Sequence, residues 1–146
     1  MPNSSITLLF GSKSPYPMRI KEVVEVPELE VKESITIDAS RSAVLVIDMQ
    51  NDFVRSNGKL YVPDAEKTIK PIADLLSKAR RNGVRVVYTQ DWHFKDDPEF
   101  RIWGEHCVMD TWGAEIIEEL KPQSNDVIIR KRRYDAFFGT DLDYVL

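Results

Sequence analysis

Cysteine is almost absent from this chain. Its 146 residues include one, Cys107, so no internal disulfide can form, which fits a cytoplasmic protein. Histidine is nearly as scarce, with only His93 and His106. An excess of positive charge is also missing. The formal net charge of −4 argues against a general nucleic-acid binder. No apolar run approaches the ~20 residues that a membrane-spanning helix needs, so no membrane partner is expected. ITLLF near the N-terminus is too short for a signal-peptide core, and no basic residue precedes it. Glycine is sparse, and no Gly-rich phosphate loop follows AVLVID, so nothing points to an organic nucleotide cofactor.

What remains is the composition of an ordinary globular domain, with 42% hydrophobic and 30% charged residues. Residues 1–41 read as an N-terminal extension and 42–146 as the domain proper. Within the extension, residues 1–17 are rich in Ser and Pro and carry little pattern. They are either a mobile leader or lie upstream of a natural start at Met18. Residues 23–37 alternate loosely, as an edge segment would.

AVLVI (43–47), VRVVY (84–88) and DVIIR (126–130) are short, β-branched apolar runs. Such runs predict strands buried on both faces, as in a parallel sheet. Between the first two, Ile69, Ile72, Leu75, Leu76 and Ala79 fall at helical spacing. Thr68 or Asp64 is the expected cap, Pro71 fits the first turn, and Gly83 is the stop. WGAEIIEEL (112–120) predicts a short helix closed by Pro122. Thr140 is placed to cap a last short helix, DLDYVL. The alternation predicts an α/β fold, a Rossmann-like three-layer α/β/α arrangement with a parallel sheet. Three strands leave an apolar edge open, so the sequence reads as about the first half of a larger sheet.

Ligands of open parallel sheets bind outside the carboxyl ends of the strands. Asp48, Asp91, His93 and Lys131 all emerge there. Taken alone, Asp48 reads equally well as a turn residue, and Lys131 as part of the solvated cluster RKRR. A carboxylate and an ammonium that face one crevice from different strands are more informative together. Asp91 and His93 form a D-x-H pair, and His106 follows after a loop. Two imidazoles and a carboxylate are typical ligands for Zn²⁺ or a similar divalent ion. The plain alternative is two polar loop histidines. Cys107, directly beside His106, reads as a small buried residue rather than a nucleophile.

AVLVIDMQNDF, VVYTQDWH, the W-x-x-H-C-V stretch with T-x-G-A-E up to Glu115, and KRRYDAFFGTDL together resemble the isochorismatase-like cysteine hydrolases. That superfamily includes nicotinamidases, N-carbamoylsarcosine amidases and isochorismatases. The resemblance runs from about Ala43 to the C-terminus. It implies a six-stranded parallel sheet and a catalytic Asp-Lys-Cys triad, with Asp48 and Lys131 as two of its members. It implies Phe53, Trp103 and Tyr134 as pocket-lining residues. It also implies Asp91, His93 and His106 as ligands of one divalent metal ion, zinc, iron or manganese. In nicotinamidases that metal holds the pyridine nitrogen of the substrate. The implied partner is a small molecule hydrolysed at an amide or N-carbamoyl C–N bond, and the implied assembly is a homo-oligomer.

The departures are equally definite. The family nucleophile lies on a later G-x-x-T-x-x-C-V segment that this sequence does not contain, and Cys107 is not at that position. The chain alone is therefore expected to be inactive, and the sequence is expected to be truncated. Lys131 is only three residues from Tyr134, a spacing closer to other amidases of the superfamily than to nicotinamidases. Gly104 stands where proline is common, which would loosen the loop before His106. The alternative reading is a non-catalytic metal-binding, ligand-binding or association protein built on the same fold.

Overall fold

The three β-branched runs form three parallel strands, β1 (Ala43–Ile47), β2 (Arg85–Asp91) and β3 (Val127–Lys131), in the order β1-β2-β3. The computed structural model describes residues 36–146. The leader and nearly all of the 23–37 segment lie outside the described residues. Four α-helical segments accompany the strands: α1 (Asn51–Val54), α2 (Ile69–Arg81), α3 (Phe100–Trp103) and α4 (Leu142–Val145).

Helix α2 covers one face of the sheet. Leu76 and Ala79 are buried there against Val46, Val86 and Tyr88, with Ile69, Ile72 and Ala73 packed beside them. Leu75 was expected in this stripe but is half exposed, because the buried arc centres on Leu76 and Ala73 takes its place. Pro71 lies in the first turn and Gly83 adopts φ +71° beyond the end, as their chemistry requires. Thr68 precedes the helix without capping it; its hydroxyl donates to the Ala65 carbonyl instead, at 2.7 Å. The other face is covered by α4. Leu142 and Val145 pack there with Val87 and Ile129. Thr140 accepts the Leu142 N–H at 3.2 Å and so helps start that helix.

Only β2 is buried along most of its length, since β1 and β3 are the edges of the described sheet. The expectation that β1 and β3 are buried on both faces is not met: Ile47 is 62% and Ile128 44% exposed. Strand β2 also runs on through Thr89, Gln90 and Asp91, all buried and hydrogen-bonded.

The helix expected over 112–120 is replaced by two 3-10 turns, Trp112–Ala114 and Glu118–Leu120. The segment between them pairs with the chain after β1. Asn51 N–H donates to the Glu115 carbonyl and Ile117 N–H to the Met49 carbonyl, both at 3.0 Å. A helix of two turns is marginal alone, and this long-range pairing outweighs it. The core is tied down near its base by Tyr88, whose hydroxyl donates to the Leu120 carbonyl at 2.8 Å and accepts from Arg80 at 3.0 Å. Arg80 also pairs with Asp126 at 2.5 Å, joining the end of α2 to the start of β3.

Candidate active site

The carboxyl ends of the three strands converge on a crevice of about 440 Å³. Asp48, the residue after β1, has φ +52°, a left-handed conformation that Asp tolerates better than most residues. This turn takes the chain away from β2 and leaves the carboxylate over the strand ends. Thr89 Oγ1 donates to Asp48 Oδ1 at 2.6 Å, and the Asp48 N–H reaches the Thr89 carbonyl at 3.2 Å.

Lys131 ends β3. Its ammonium lies 3.1 Å from Asp48 Oδ2 and in a shorter contact with Asp91 Oδ1. The Lys131 side chain is only 3% exposed. Burial alone would lower its pKa, but the Asp91 and Asp48 carboxylates outweigh that and hold it above the usual lysine range. The ammonium is therefore a fixed positive charge between carboxylates from two other strand ends.

Asp91 faces the other way as well. Its Oδ2 lies 3.7 Å from His93 Nε2 and 3.6 Å from His106 Nε2. Burial pushes the Asp91 carboxyl up, but His106, His93 and Lys131 together hold it well below the carboxylate range. His106 donates from Nδ1 to the Gly104 carbonyl at 2.8 Å, so in the neutral ring Nε2 is the lone pair. Gly104 itself has φ +79°, a conformation that glycine supplies at no cost, and its carbonyl orients the histidine. This glycine, two residues before the loop's histidine, thus also serves as its hydrogen-bond partner. His93 Nε2 is buried without a hydrogen-bond partner.

One ligand atom from each of Asp91, His93 and His106 fits within a span of 4.8 Å. A carboxylate and two imidazole nitrogens, one of them the orphaned His93 Nε2, make a donor set suited to Zn²⁺ or a similar ion. The residues present therefore fit a divalent metal.

Phe53, Trp103 and Tyr134 line the same crevice as Asp48, Asp91, His106 and Lys131. The Phe53 ring lies 5.6 Å from that of His106, and Trp103 stacks with Tyr134 at 6.5 Å between ring centres. His93 sits behind the crevice wall, 1% exposed. Cys107 is fully buried, and its thiol points to the Gly113 carbonyl at 3.8 Å. Burial first, then the negative charges of Asp91, Asp52 and Asp48, raise its pKa far above that of a free thiol. It has none of the thiolate character a nucleophile needs.

The structure adds residues that the sequence reading passed over. Gln50 is fully buried and uses its whole amide: Nε2 donates to the Asp91 and Ala114 carbonyls at 2.8 Å, and Oε1 accepts the Asp91 N–H at 2.7 Å. Asp52 accepts the backbone N–H of Cys107 at 2.7 Å and of Lys59 at 3.0 Å. Asp97 contacts His93 and Arg133. For Gln50 and Asp52 the available signal was the polar-rich run DMQND directly after a strand, where only partnered polar groups are tolerated in a core.

A family model, the isochorismatase domain, matches residues 42–146. The nicotinamidase of Saccharomyces cerevisiae is 31% identical over 131 residues, covering 69% of this chain and 59% of the relative. Ureidoacrylate amidohydrolase RutB of Agrobacterium fabrum is 32% identical over 142 residues, covering 78% and 61%. The crystal structure of N-carbamoylsarcosine amidase from Thermoplasma acidophilum superposes with a TM-score of 0.66 at 42% identity, covering 72% of this chain and 60% of that one. The zinc complex of the Pyrococcus horikoshii pyrazinamidase gives a TM-score of 0.67 at 36% identity, covering 72% and 63%. The chain spans about three-fifths of the length of the curated relatives it matches. With a domain match over most of its length and this identity to its relatives, the chain belongs to the isochorismatase family.

Proposed function

We propose that this chain carries the acid–base and metal-binding parts of a hydrolase site for the C–N bond of a small amide or N-carbamoyl compound. The observation that carries this reading is the buried Lys131 ammonium between Asp48 and Asp91, beside two histidines, at the carboxyl ends of neighbouring strands. The names of its relatives, a nicotinamidase, a ureidoacrylate amidohydrolase and an N-carbamoylsarcosine amidase, support the same reaction class.

In this proposal Asp48 takes the proton of an attacking thiol and later returns it to the leaving nitrogen, as general base and then general acid. Lys131 supplies the fixed positive charge that favours a thiolate over a thiol. The thiol is not Cys107, which is buried and held protonated. No other cysteine is present among these 146 residues, so the proposal assigns the thiol to none of them. Phe53, Trp103 and Tyr134 form the apolar walls that hold a planar group in the crevice. Asp91, His93 and His106 hold one divalent ion, and the zinc complex of the pyrazinamidase supports zinc. When bound there, the ion supplies Lewis acidity and an anchor for a lone-pair donor of the substrate. A homo-oligomer and a cytoplasmic location complete the proposal; Ile47 on β1, 62% exposed, offers an apolar contact for self-association.

Ammonia release from nicotinamide and from N-carbamoyl amino acids tests the reading, with the protein purified from its source compared with the 146-residue chain. Turnover by the source protein, blocked by a thiol-alkylating reagent and lost in Asp48→Asn, is the expected result. Turnover by the chain alone that survives Cys107→Ala would refute the thiol route. If neither sample turns over while the chain still binds zinc, the non-catalytic reading takes its place. The buried, protonated state of the sole cysteine is the observation that favours that second reading.

A further inference from the structure

We infer that Asp97, braced by Arg133, is the positioning residue that fixes the His93 ring with its Nε2 lone pair turned towards Asp91 and His106. The inference rests on the metal-binding reading of those three residues. Asp97 lies four residues after His93, and its side chain is 2% exposed. Its Oδ2 is 3.2 Å from His93 Nδ1, and its Oδ1 accepts the Glu99 N–H at 3.0 Å. An ionised carboxylate can only accept. In the neutral ring His93 Nδ1 therefore carries the proton, and Nε2 is the lone pair. That nitrogen is the buried atom without a hydrogen-bond partner.

The ring has little freedom to turn. Phe100 meets it edge-on at 5.3 Å and His106 at 4.8 Å between ring centres. The backbone is pinned on both sides: His93 N–H donates to the Cys107 carbonyl at 3.0 Å, and its own carbonyl accepts from Met109 N–H at 2.9 Å. Two carboxylates compete for the ring proton among the described residues: Asp97 Oδ2 is within hydrogen-bond distance of Nδ1 at 3.2 Å, whereas Asp91 Oδ2 lies 3.7 Å from Nε2, beyond it, so Asp97 prevails.

Arg133 explains why Asp97 and Glu99 are not themselves a cation site. Together with His93 they form a second cluster of possible ligands. Arg133 Nη1 lies 3.1 and 3.2 Å from the two Asp97 oxygens and 3.4 Å from Glu99 Oε2. The position of a cation is taken by a guanidinium. Arg133 follows Lys131 by two residues, so the segment leaving β3 carries the cations of both halves of the site. His106 needs no such brace, because the Gly104 carbonyl sets its tautomer. The two imidazoles are thus oriented by different means, and only that of His93 is open to side-chain mutation.

A carboxylate on the outer nitrogen of a ligating histidine fixes its orientation and raises its basicity; losing it typically weakens metal affinity by about 10- to 100-fold. The test uses the 146-residue chain and two readouts. Zinc affinity is measured by competition with a chromogenic chelator. The His93 tautomer is read without metal, from long-range ¹⁵N–¹H correlations at pH 8.5. In the wild type the His93 proton is expected on Nδ1. In Asp97→Ala, zinc binding weakens by about 10- to 100-fold and the proton moves at least partly to Nε2. Arg133→Gln gives a smaller loss in the same direction. If Asp97→Ala does not fold, the isosteric Asp97→Asn is expected to weaken zinc several-fold, and an unchanged affinity there overturns the inference. A wild-type proton on Nε2 overturns it whatever the zinc result. So does an Asp97→Ala protein with a lower Tm but the wild-type tautomer and affinity, which would make Asp97 merely structural. A wild type with the Nδ1 proton that binds no zinc would support the positioning by Asp97 and refute the metal reading instead.

Discussion

Replacing Gln50 with leucine tests whether the floor of the site is built by one side chain. Asp48 turns away from β2 at φ +52°, and its carbonyl is engaged by the Gln50 N–H at 2.8 Å. The β1 backbone therefore stops pairing with β2 at Thr89, while β2 continues to Asp91. The Gln50 amide fills the missing place in the ladder, bonding both the N–H and the C=O of Asp91. Leucine has a similar volume, so the cavity contribution is small. It leaves two backbone groups of Asp91 unpaired at a fully buried position; the Ala114 carbonyl keeps its bond from Gln90 at 2.8 Å. Each orphaned group costs about 1–3 kcal/mol, so Gln50→Leu is expected to lose about 2–6 kcal/mol. That is a large share of the roughly 5–15 kcal/mol that holds a domain folded. Urea unfolding followed by tryptophan fluorescence measures it. A loss below about 1 kcal/mol would show that water reaches Asp91 and replaces the amide, and the claim of a dry, side-chain-built floor would fall.

Three further outcomes follow from the same packing. A Cβ at Gly113 would stand 2.1 Å from Asp52 Oδ2, so Gly113→Ala should cost about 1–3 kcal/mol by urea unfolding. In an Asp52→Ala background the cost should shrink, and strict additivity in that double-mutant cycle would refute the clash. The Cys107 thiol should resist Ellman's reagent at pH 8 in the folded chain and react once unfolded in urea; rapid native labelling would contradict its burial. Burial, against the opposing pull of Arg80, holds the Tyr88 phenol above its ordinary pKa of 10.0. The stability it contributes is therefore complete below that pH and lost as pH rises beyond it. Tyr88→Phe should lose about 1–3 kcal/mol at pH 8, because the Leu120 carbonyl loses its donor. It should also fall less steeply above pH 10 than the wild type, and parallel profiles would place the alkaline loss elsewhere.

The elements that announced themselves in the sequence were those with a local signature. The β-branched runs gave β1, β2 and β3, and the 3.6-residue period gave α2. The segment 112–120 misled because its pattern is helical while its partners, Met49 and Asn51, lie some sixty residues away. The site divides in the same way. Asp91 and His93 share a strand end and stand two residues apart, so they could be read together. Gln50, Asp52 and Arg133 act on groups 41, 55 and 36 residues distant, and much of what they bind is backbone. No residue type or spacing marks such a role, because its cause is the shape of the folded chain. Asp97 was nearer to legible. Its carboxylate is four residues from His93, but that spacing acquires meaning only once a tight turn brings the two together.

Lys131 is shared property. Its single ammonium touches Asp48 on one side and Asp91 on the other. A substitution there is felt at once by Asp48 and by the carboxylate that faces the histidines. The two halves of the crevice therefore inherit each other's mutations. The effect of a lysine variant belongs to both halves at once, and a sequence drifting at Asp48 changes the setting of Asp91. Divergence at Asp48 and at the Asp91–histidine corner is coupled through one charge, so these positions are expected to accept change in concert rather than singly.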